Sequence, residues 1–253
     1  MLMNDITIRR PLTWVSEGAT DVGTVRPLNE DSFIMQPEIG LWTVADGMGG
    51  HDGGSVASQM IVHNLQGLTK KNNLDDFVSE IENTIIEVNQ SLLAYSKEKL
   101  NGRTIGSTFI SLLIKGNVGV CLWAGDSRLY RYRHNKLTPL TEDHSHVAEL
   151  IKKGMITAEE AETHPERNII TRAVGTSERI DVDIDVFELN VGDQFLLCSD
   201  GLYNSVSELD MVSCLNENSL LTSVNKLIES ALGNKASDNV SVILVKGMYQ
   251  SAD

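Results

Sequence analysis

The chain has 253 residues, 41% of them hydrophobic and 22% charged, so it is long enough to bury a sizeable apolar core. Its 35 acidic residues outnumber 21 basic ones, which gives a formal net charge of −14. A field this negative disfavours partners such as nucleic acid or an anionic membrane surface. The N-terminal segment has no signal-peptide pattern, and no run of about 18 apolar residues occurs. We therefore expect a cytoplasmic protein.

Short apolar segments bounded by Gly, Asn or Asp alternate along most of the chain, a pattern typical of β-strands. Helical segments differ, because their apolar residues recur every three or four positions, as they do over 56–68 and 74–92. The predicted strands are 41–45, 107–114, 118–124, 128–133, 182–187, 194–199 and 239–246. Further helices are predicted at 146–153, 206–216 and 219–232.

Three predicted strands follow one another directly, at 107–114, 118–124 and 128–133. Because strands with such short connections pair antiparallel, a doubly wound parallel sheet is excluded. We expect an α+β fold in which two antiparallel sheets stack face to face, with helices on the outer faces. No linker or internal repeat interrupts the chain, so residues 1–253 are interpreted as a single domain. The polar segment 141–176 is a long excursion, of the kind that usually binds or covers a site.

The three cysteines, Cys121, Cys198 and Cys214, are far apart and lie among apolar residues. This spacing disfavours both a disulfide framework and a structural zinc site. Each is predicted to be a reduced core residue.

Four aspartates stand next to apolar strands: Asp46 (followed by Gly47), Asp126, Asp200 and Asp238. A single Asp-Gly pair is most simply a tight turn, but four such positions are hard to attribute to turn chemistry alone. Strand ends of stacked sheets can converge on one edge, where clustered carboxylates are neutralised or bind cations. Oxygen donors without Cys or His at ligand spacing favour Mg²⁺ or Mn²⁺ over zinc or copper.

The segment TDVGTVRPLNEDSF (20–33) adds Arg26 and the adjacent carboxylates Glu30 and Asp31. An arginine near carboxylates and metal ions suits the binding of two phosphate oxygens. Taken alone, Arg26 is more simply explained as part of a surface salt bridge.

Eight segments in order, over about residues 18–246, carry a family resemblance. They are VRPLNEDSF, VADGMGGHDGGSVAS, GSTF, WAGDSRLYRY, LTEDHS, HPERNIITRAVG, LLCSDGLYNSV and ASDNVSVILV. Together they resemble the metal-dependent serine/threonine protein phosphatases of type 2C (the PPM family), specifically the bacterial branch. The resemblance implies a four-layer αββα sandwich and hydrolysis of phosphoserine and phosphothreonine in proteins. The implied partners are phosphorylated protein substrates, a Ser/Thr kinase and the targets of that kinase.

By this resemblance, a water bridging two Mn²⁺ or Mg²⁺ ions attacks phosphorus directly, with no phosphoenzyme. Asp46 corresponds to the carboxylate that bridges both ions, and the carbonyl of Gly47 to a ligand of one. Asp200 and Asp238 correspond to ligands of the other ion. Glu30 corresponds to an outer-sphere residue that holds metal-bound waters.

The remaining roles are also implied by the resemblance. Asp126, together with Asp200, corresponds to a third, weaker metal site found in bacterial members. Arg26 corresponds to the residue that binds the substrate phosphate. Asp31 and Asn239 are expected to lie just behind the metal ligands.

One departure concerns the proton donor for the leaving alkoxide. Met48 stands where eukaryotic relatives have a histidine proposed for this role, and methionine cannot donate a proton. His51 reaches the site only if the turn folds back, and it is more simply a turn or surface histidine. Water bound at the third metal site is the competing donor. Segment 141–176 corresponds to the family's flap, which is expected to affect substrate choice.

Two alternatives stay open. A noncatalytic relative would use the fold to bind a partner, but such relatives usually lose metal-binding aspartates, and none is lost here. A sporulation-type phosphatase would act on an anti-sigma antagonist, but these generally lack the arginine found here as Arg26. We expect a monomer.

Overall fold

The computed structural model describes residues 12–50 and 53–249. Within these residues the strands are β1 (Leu12–Asp21), β2 (Asp31–Gln36), β3 (Leu41–Met48), β4 (Gly106–Ser107), β5 (Phe109–Lys115), β6 (Val118–Ala124), β7 (Arg128–Arg133), β8 (Lys136–Pro139), β9 (Asp183–Glu188), β10 (Gln194–Cys198) and β11 (Val240–Tyr249). The helices are α1 (Gly53–Gln66), α2 (Leu74–Lys99), α3 (His146–Lys152), α4 (Ala158–Glu162), α5 (Asp200–Tyr203), α6 (Glu208–Leu215) and α7 (Leu220–Gly233).

The strands form two antiparallel sheets. One has the order β1-β11-β10-β7-β8, and the other has the order β2-β3-β5-β6-β9 with the short β4 paired to β3. Every pairing between these strands is antiparallel. The two sheets stack face to face, as an antiparallel α+β sandwich requires.

Three apolar clusters separate four layers. Trp42, Phe195 and Ile243 belong to the cluster between the two sheets. The periodic face of α2, including Ile81, joins α1 in a second cluster on the β3 side. A third cluster, which includes Leu227 of α7, joins α5, α6 and α7 to the other sheet. The four longer helices, α1, α2, α6 and α7, each bury one face and cover the sheets from outside. The predicted fold class is therefore confirmed.

All seven predicted strands are present, with small shifts at their ends. The sequence did not predict β1, β2, β4, β8, α4 or α5 as separate elements. β1 is an edge strand whose side chains are all partly or fully exposed, so it has no continuous apolar segment. β8, α4 and α5 are too short to show a period.

The expected pairing of 118–124 with 128–133 is wrong. β6 pairs with β5 and β9, whereas β7 pairs with β10 and β8 in the opposite sheet. The chain therefore crosses between the sheets at Gly125, Asp126 and Ser127. Gly125 has a φ of 119°, which glycine adopts without strain. Three residues suffice because stacked sheets lie only about 10 Å apart.

The flap, residues 141–176, leaves the sandwich between β8 and β9 and carries α3 and α4. No residue of α3 is buried. Isolated bridges join Ser145 to Ile170 within the flap and Val174 to Ser107 of β4. The flap is therefore fastened to the sandwich at its ends, while its helices lie over the surface.

The three cysteines are free and buried, which confirms their prediction as core residues. Over the part of the chain that the structure describes, no helix combines the length and apolar character needed to cross a bilayer.

Candidate metal centre

The predicted aspartates come together although they lie on separate elements. Asp46 on β3 is directly opposite Asp31 on β2. Asp126 lies on the crossover between the sheets, Asp200 begins α5, and Asp238 lies two residues before β11. Burial raises the pKa of Asp46 well above its usual range, and the other four carboxylates each raise it further. The strand-end pattern in the sequence thus corresponds to one cluster in space.

The cluster strongly disfavours negative charge. Burial raises the pKa of Asp200 to about 8, with further increases from Asp126 and Asp238. Burial also raises the pKa of Asp126 to about 6 and that of Asp31 to about 6. Close carboxylates in a desolvated site can stay ionised together only if cations offset their charge.

Several carboxylate oxygens in this cluster are buried without a hydrogen-bond partner. They are the Oδ1 atoms of Asp31, Asp126 and Asp200. Buried polar atoms are normally satisfied, so orphaned oxygens on three neighbouring aspartates point to a missing ligand. Among residues 12–50 and 53–249 no three acidic, His or Cys side chains already enclose a metal position. The all-oxygen donor set of the cluster fits Mg²⁺ or Mn²⁺.

A tight backbone contact holds Glu30 beside the cluster. Glu30 accepts a hydrogen bond at Oε1 from Gly54 N (2.9 Å), and its carbonyl accepts from Gly47 N (3.2 Å) and Ser58 Oγ (2.5 Å). A Cβ on Gly47 would lie 2.1 Å from the carbonyl oxygen of Gly54, and one on Gly54 would lie 2.5 Å from Glu30 Oε1. Only glycine at both positions lets the strand end and the start of α1 approach this closely.

Asn239 lies behind the cluster and organises the segment that carries Arg26 and Glu30. Its Oδ1 accepts from Glu30 N at 2.8 Å, and its Nδ2 donates to the carbonyls of Val22 and Leu28, both at 2.9 Å. The side chain is 5% exposed. Because Asn239 follows Asp238 directly, these contacts hold residues 22–30 next to Asp238.

Arg26 is paired with a predicted metal ligand. Its Nη2 donates to Asp238 Oδ2 at 2.7 Å, and the two side chains are 52% and 35% exposed. The hydrogen bond and charge of Asp238 raise the pKa of Arg26. Arg26 thus lies at the open side of the cluster, where a ligand can reach the guanidinium.

Hydroxyl groups that sequence reasoning missed connect the cluster across the sandwich. Ser199 donates to Asp31 Oδ2 at 2.7 Å and accepts from Ser241 N at 2.9 Å, which links β2 to the opposite sheet. Thr108 Oγ1 accepts from Asp46 N at 3.2 Å. The available signal was hydroxyl residues within or directly beside apolar strands, in the segments GSTF and CSDG.

Among residues 12–50 and 53–249, no histidine hydrogen-bonds to an aspartate of the cluster. His51 lies outside the described residues. His144 Nδ1 accepts from Gly125 N at 3.0 Å, and Ser145 caps α3 by accepting from Ala148 N, so these two are a loop residue and a capping residue. Met48 ends β3 and carries no titratable proton.

Sequence and structure comparisons match more than nine-tenths of the chain to protein phosphatases and related proteins. The family model "Protein phosphatase 2C" matches residues 27–238. The serine/threonine phosphatase stp of Listeria monocytogenes serotype 4b is 37% identical over 239 residues, covering 91% of this chain and 95% of that protein. PppA, a key regulatory component of T6SS in Pseudomonas aeruginosa, has a TM-score of 0.88 at 35% identity, covering 95% of this chain and 100% of that chain. The catalytic domain of the phosphatase PstP, solved with 2 manganese ions, has a TM-score of 0.84 at 32% identity, covering 94% and 99%.

Proposed function

The chain belongs to the protein phosphatase 2C family, and we propose that it hydrolyses phosphoserine and phosphothreonine monoesters in proteins. The observation that carries the proposal is the aspartate cluster with its orphaned Oδ1 atoms. A phosphate dianion would be repelled by bare carboxylates, whereas carboxylates that hold divalent cations attract it.

The residues divide between two principal ion positions and a weaker one. Asp46 and the Gly47 carbonyl would hold one ion, and Asp46, Asp200 and Asp238 the second. Asp126 and Asp200 would hold a third. When bound, Mn²⁺ or Mg²⁺ supplies Lewis-acid chemistry that activates water for attack on phosphorus and offsets charge on the phosphoryl oxygens. Glu30, whose Oε1 accepts from Gly54 N, would accept hydrogen bonds from water at the edge of the cluster.

Arg26 orients the substrate. Its pair with Asp238 is exposed, and such pairs contribute only about 0.2–1 kcal/mol. A phosphate can therefore compete for the guanidinium, and more readily if Asp238 were to hold a cation. The planar guanidinium then binds two phosphate oxygens, which fixes the phosphorus relative to Asp46.

The test is hydrolysis of a phosphothreonine peptide and of p-nitrophenyl phosphate by purified protein with Mn²⁺. Asp46→Asn should reduce kcat at least about 1000-fold, because it removes the carboxylate shared by two ions. Asp185→Asn, on the exposed face of β9, is the matched control and should leave the rate unchanged. Lack of hydrolysis by the unchanged protein with Mn²⁺ would contradict the proposed activity.

Arg26→Ala should mainly raise KM for small phosphoesters, by about 10-fold for a lost charge-assisted contact. An unchanged KM would show that the Asp238 pair is purely structural. The alternative is a protein that acts by binding a partner. If Asp46→Asn lost hydrolysis but kept its physiological effect and its binding of a partner protein, that alternative would be favoured.

The physiological setting completes the proposal. We expect a monomer in the cytoplasm that opposes a Ser/Thr kinase, and the free, buried cysteines fit a reducing compartment. Comparing phosphoproteins with and without the gene would identify its substrates.

A further inference from the structure

Arg128, at the start of β7, makes four contacts close to the crossover that carries Asp126. Its Nε and Nη2 donate to the two carboxylate oxygens of Asp143 at 2.8 and 2.7 Å. Its Nη1 donates to Tyr130 Oη at 3.0 Å, and its guanidinium lies 3.6 Å from the centre of the Tyr203 ring. Burial alone would lower the pKa of Arg128, but the Asp143 contacts and the two tyrosines raise it overall. The guanidinium therefore carries a fixed charge and has a partner at Nε, at both Nη atoms and on one face.

Tyr203 connects this charge to two predicted metal ligands. Its hydroxyl donates to the carbonyl oxygen of Asp126 at 3.0 Å. It is also the last residue of α5, the single turn that begins with Asp200. The ring stacked on Arg128 therefore fixes the backbone of one aspartate and the helical turn that carries the other.

Asp143 connects the same charge to the start of the flap. The next residue, His144, exchanges two hydrogen bonds with Gly125: its Nδ1 accepts from Gly125 N, and its own N–H donates to the Gly125 carbonyl. Its ring also stacks on Trp123, with centroids 5.8 Å apart. The beginning of the flap and the turn that carries Asp126 are therefore one hydrogen-bonded unit.

From these contacts we propose that Arg128 is a positioning residue, which through Tyr203 and Asp143 sets the separation of Asp126 and Asp200 and fixes the flap to it. This inference rests on the proposed function, because it assumes that the two aspartates bind a cation. Arg128 itself touches neither substrate nor cation. The planar guanidinium is needed, since a lysine cannot both fork onto a carboxylate and stack on a ring.

The chain offers a matched control on the same strand. Arg133, at the far end of β7, makes an equivalent fork: its Nε and Nη2 donate to the two carboxylate oxygens of Asp193 at 2.6 and 2.7 Å. Five residues of strand place it roughly 16 Å from Arg128. Arg133→Lys therefore removes a comparable fork and reduces stability without touching the metal centre.

The experiment compares Arg128→Lys, Tyr203→Phe and Arg133→Lys with the unchanged protein. Mn²⁺ binding is measured by calorimetry, and cleavage by trypsin after Lys152 and Lys153, whose side chains are 74% and 63% exposed on the flap, is followed over time. Arg128→Lys should weaken Mn²⁺ binding at the weakest site about 10-fold and speed flap cleavage, as expected when residues behind metal ligands are changed. Tyr203→Phe keeps the ring and loses one hydrogen bond, so it should weaken Mn²⁺ binding about 3-fold.

Wild-type Mn²⁺ affinity in both Arg128→Lys and Tyr203→Phe would overturn the proposal. An equal loss of affinity in Arg133→Lys would also overturn it, because the effect would then be general destabilisation. If the unchanged protein bound Mn²⁺ but did not hydrolyse phosphothreonine peptide, the proposed function alone would fail. If the unchanged protein bound no Mn²⁺, both would fail.

Discussion

Replacing Asp200 by Asn should make the metal-free protein more stable at neutral pH. The pKa of Asp200 is about 8 in the folded protein, against an ordinary value of 3.8, and burial beside Asp126 and Asp238 is the cause. A raised folded-state pKa means that the folded state holds the proton more tightly than the unfolded chain. This contribution to the free energy of unfolding is complete below about pH 4 and is lost as the pH rises through about 8. Asparagine carries no charge, so the variant escapes that loss.

The magnitude follows from the size of this pKa change. At about 1.4 kcal/mol per pKa unit, a rise from 3.8 to about 8 sets an upper limit of about 6 kcal/mol. Asp126 and Asp238 stay buried beside position 200 in the variant, so removing one carboxylate relieves only part of the repulsion within the cluster. We expect a gain of about 2–4 kcal/mol, which in a chain of this size raises Tm by roughly 5–10 °C.

The assay is thermal unfolding in a chelator at about pH 7.5 and about pH 5, with Asp185→Asn as the exposed control. The gain of Asp200→Asn should shrink at about pH 5, because the pH then lies only about one unit above the ordinary pKa of 3.8, and keeping the proton on Asp200 in the folded state costs less. With saturating Mn²⁺ the order should reverse, since the variant lacks a ligand and gains less from binding. A metal-free Asp200→Asn protein no more stable than wild type at about pH 7.5 would refute the reasoning.

Three further substitutions test the framework around the site. Arg133→Ala leaves the fully buried carboxylate of Asp193 without its fork, so the free energy of unfolding from urea titration should fall by about 3–5 kcal/mol; a loss below about 1 kcal/mol would contradict this. Gly54→Ala places a Cβ 2.5 Å from Glu30 Oε1, so half-maximal activity should require several-fold more Mn²⁺, and unchanged demand would show that Glu30 can shift freely. Leu92→Ala opens a cavity in the cluster beneath α2 and should lower stability by about 2–5 kcal/mol without changing Mn²⁺ demand.

Local features of the sequence were sufficient to predict most of the architecture. Strands and helices differ in the period of their apolar residues, and this period belongs to a short segment of chain. The alternation of 3 and 4 residues in α2 predicted one buried face, and the buried residues of this helix confirm it. The sequence also predicted which aspartates form the site, because burying the end of a strand fixes the position of the carboxylate that follows it.

Pairing across the molecule was decided only by the tertiary structure. Gly125, Asp126 and Ser127 read as a hairpin turn, yet they carry the chain from one sheet to the other. The contacts of Arg128 with Tyr203 and of Ser199 with Asp31 join residues 75 or more positions apart, with no local period to reveal them. The sequence determined which residues bear the charge. Long-range packing determined which of those charges face one another, and the raised pKa values of the cluster follow from that arrangement.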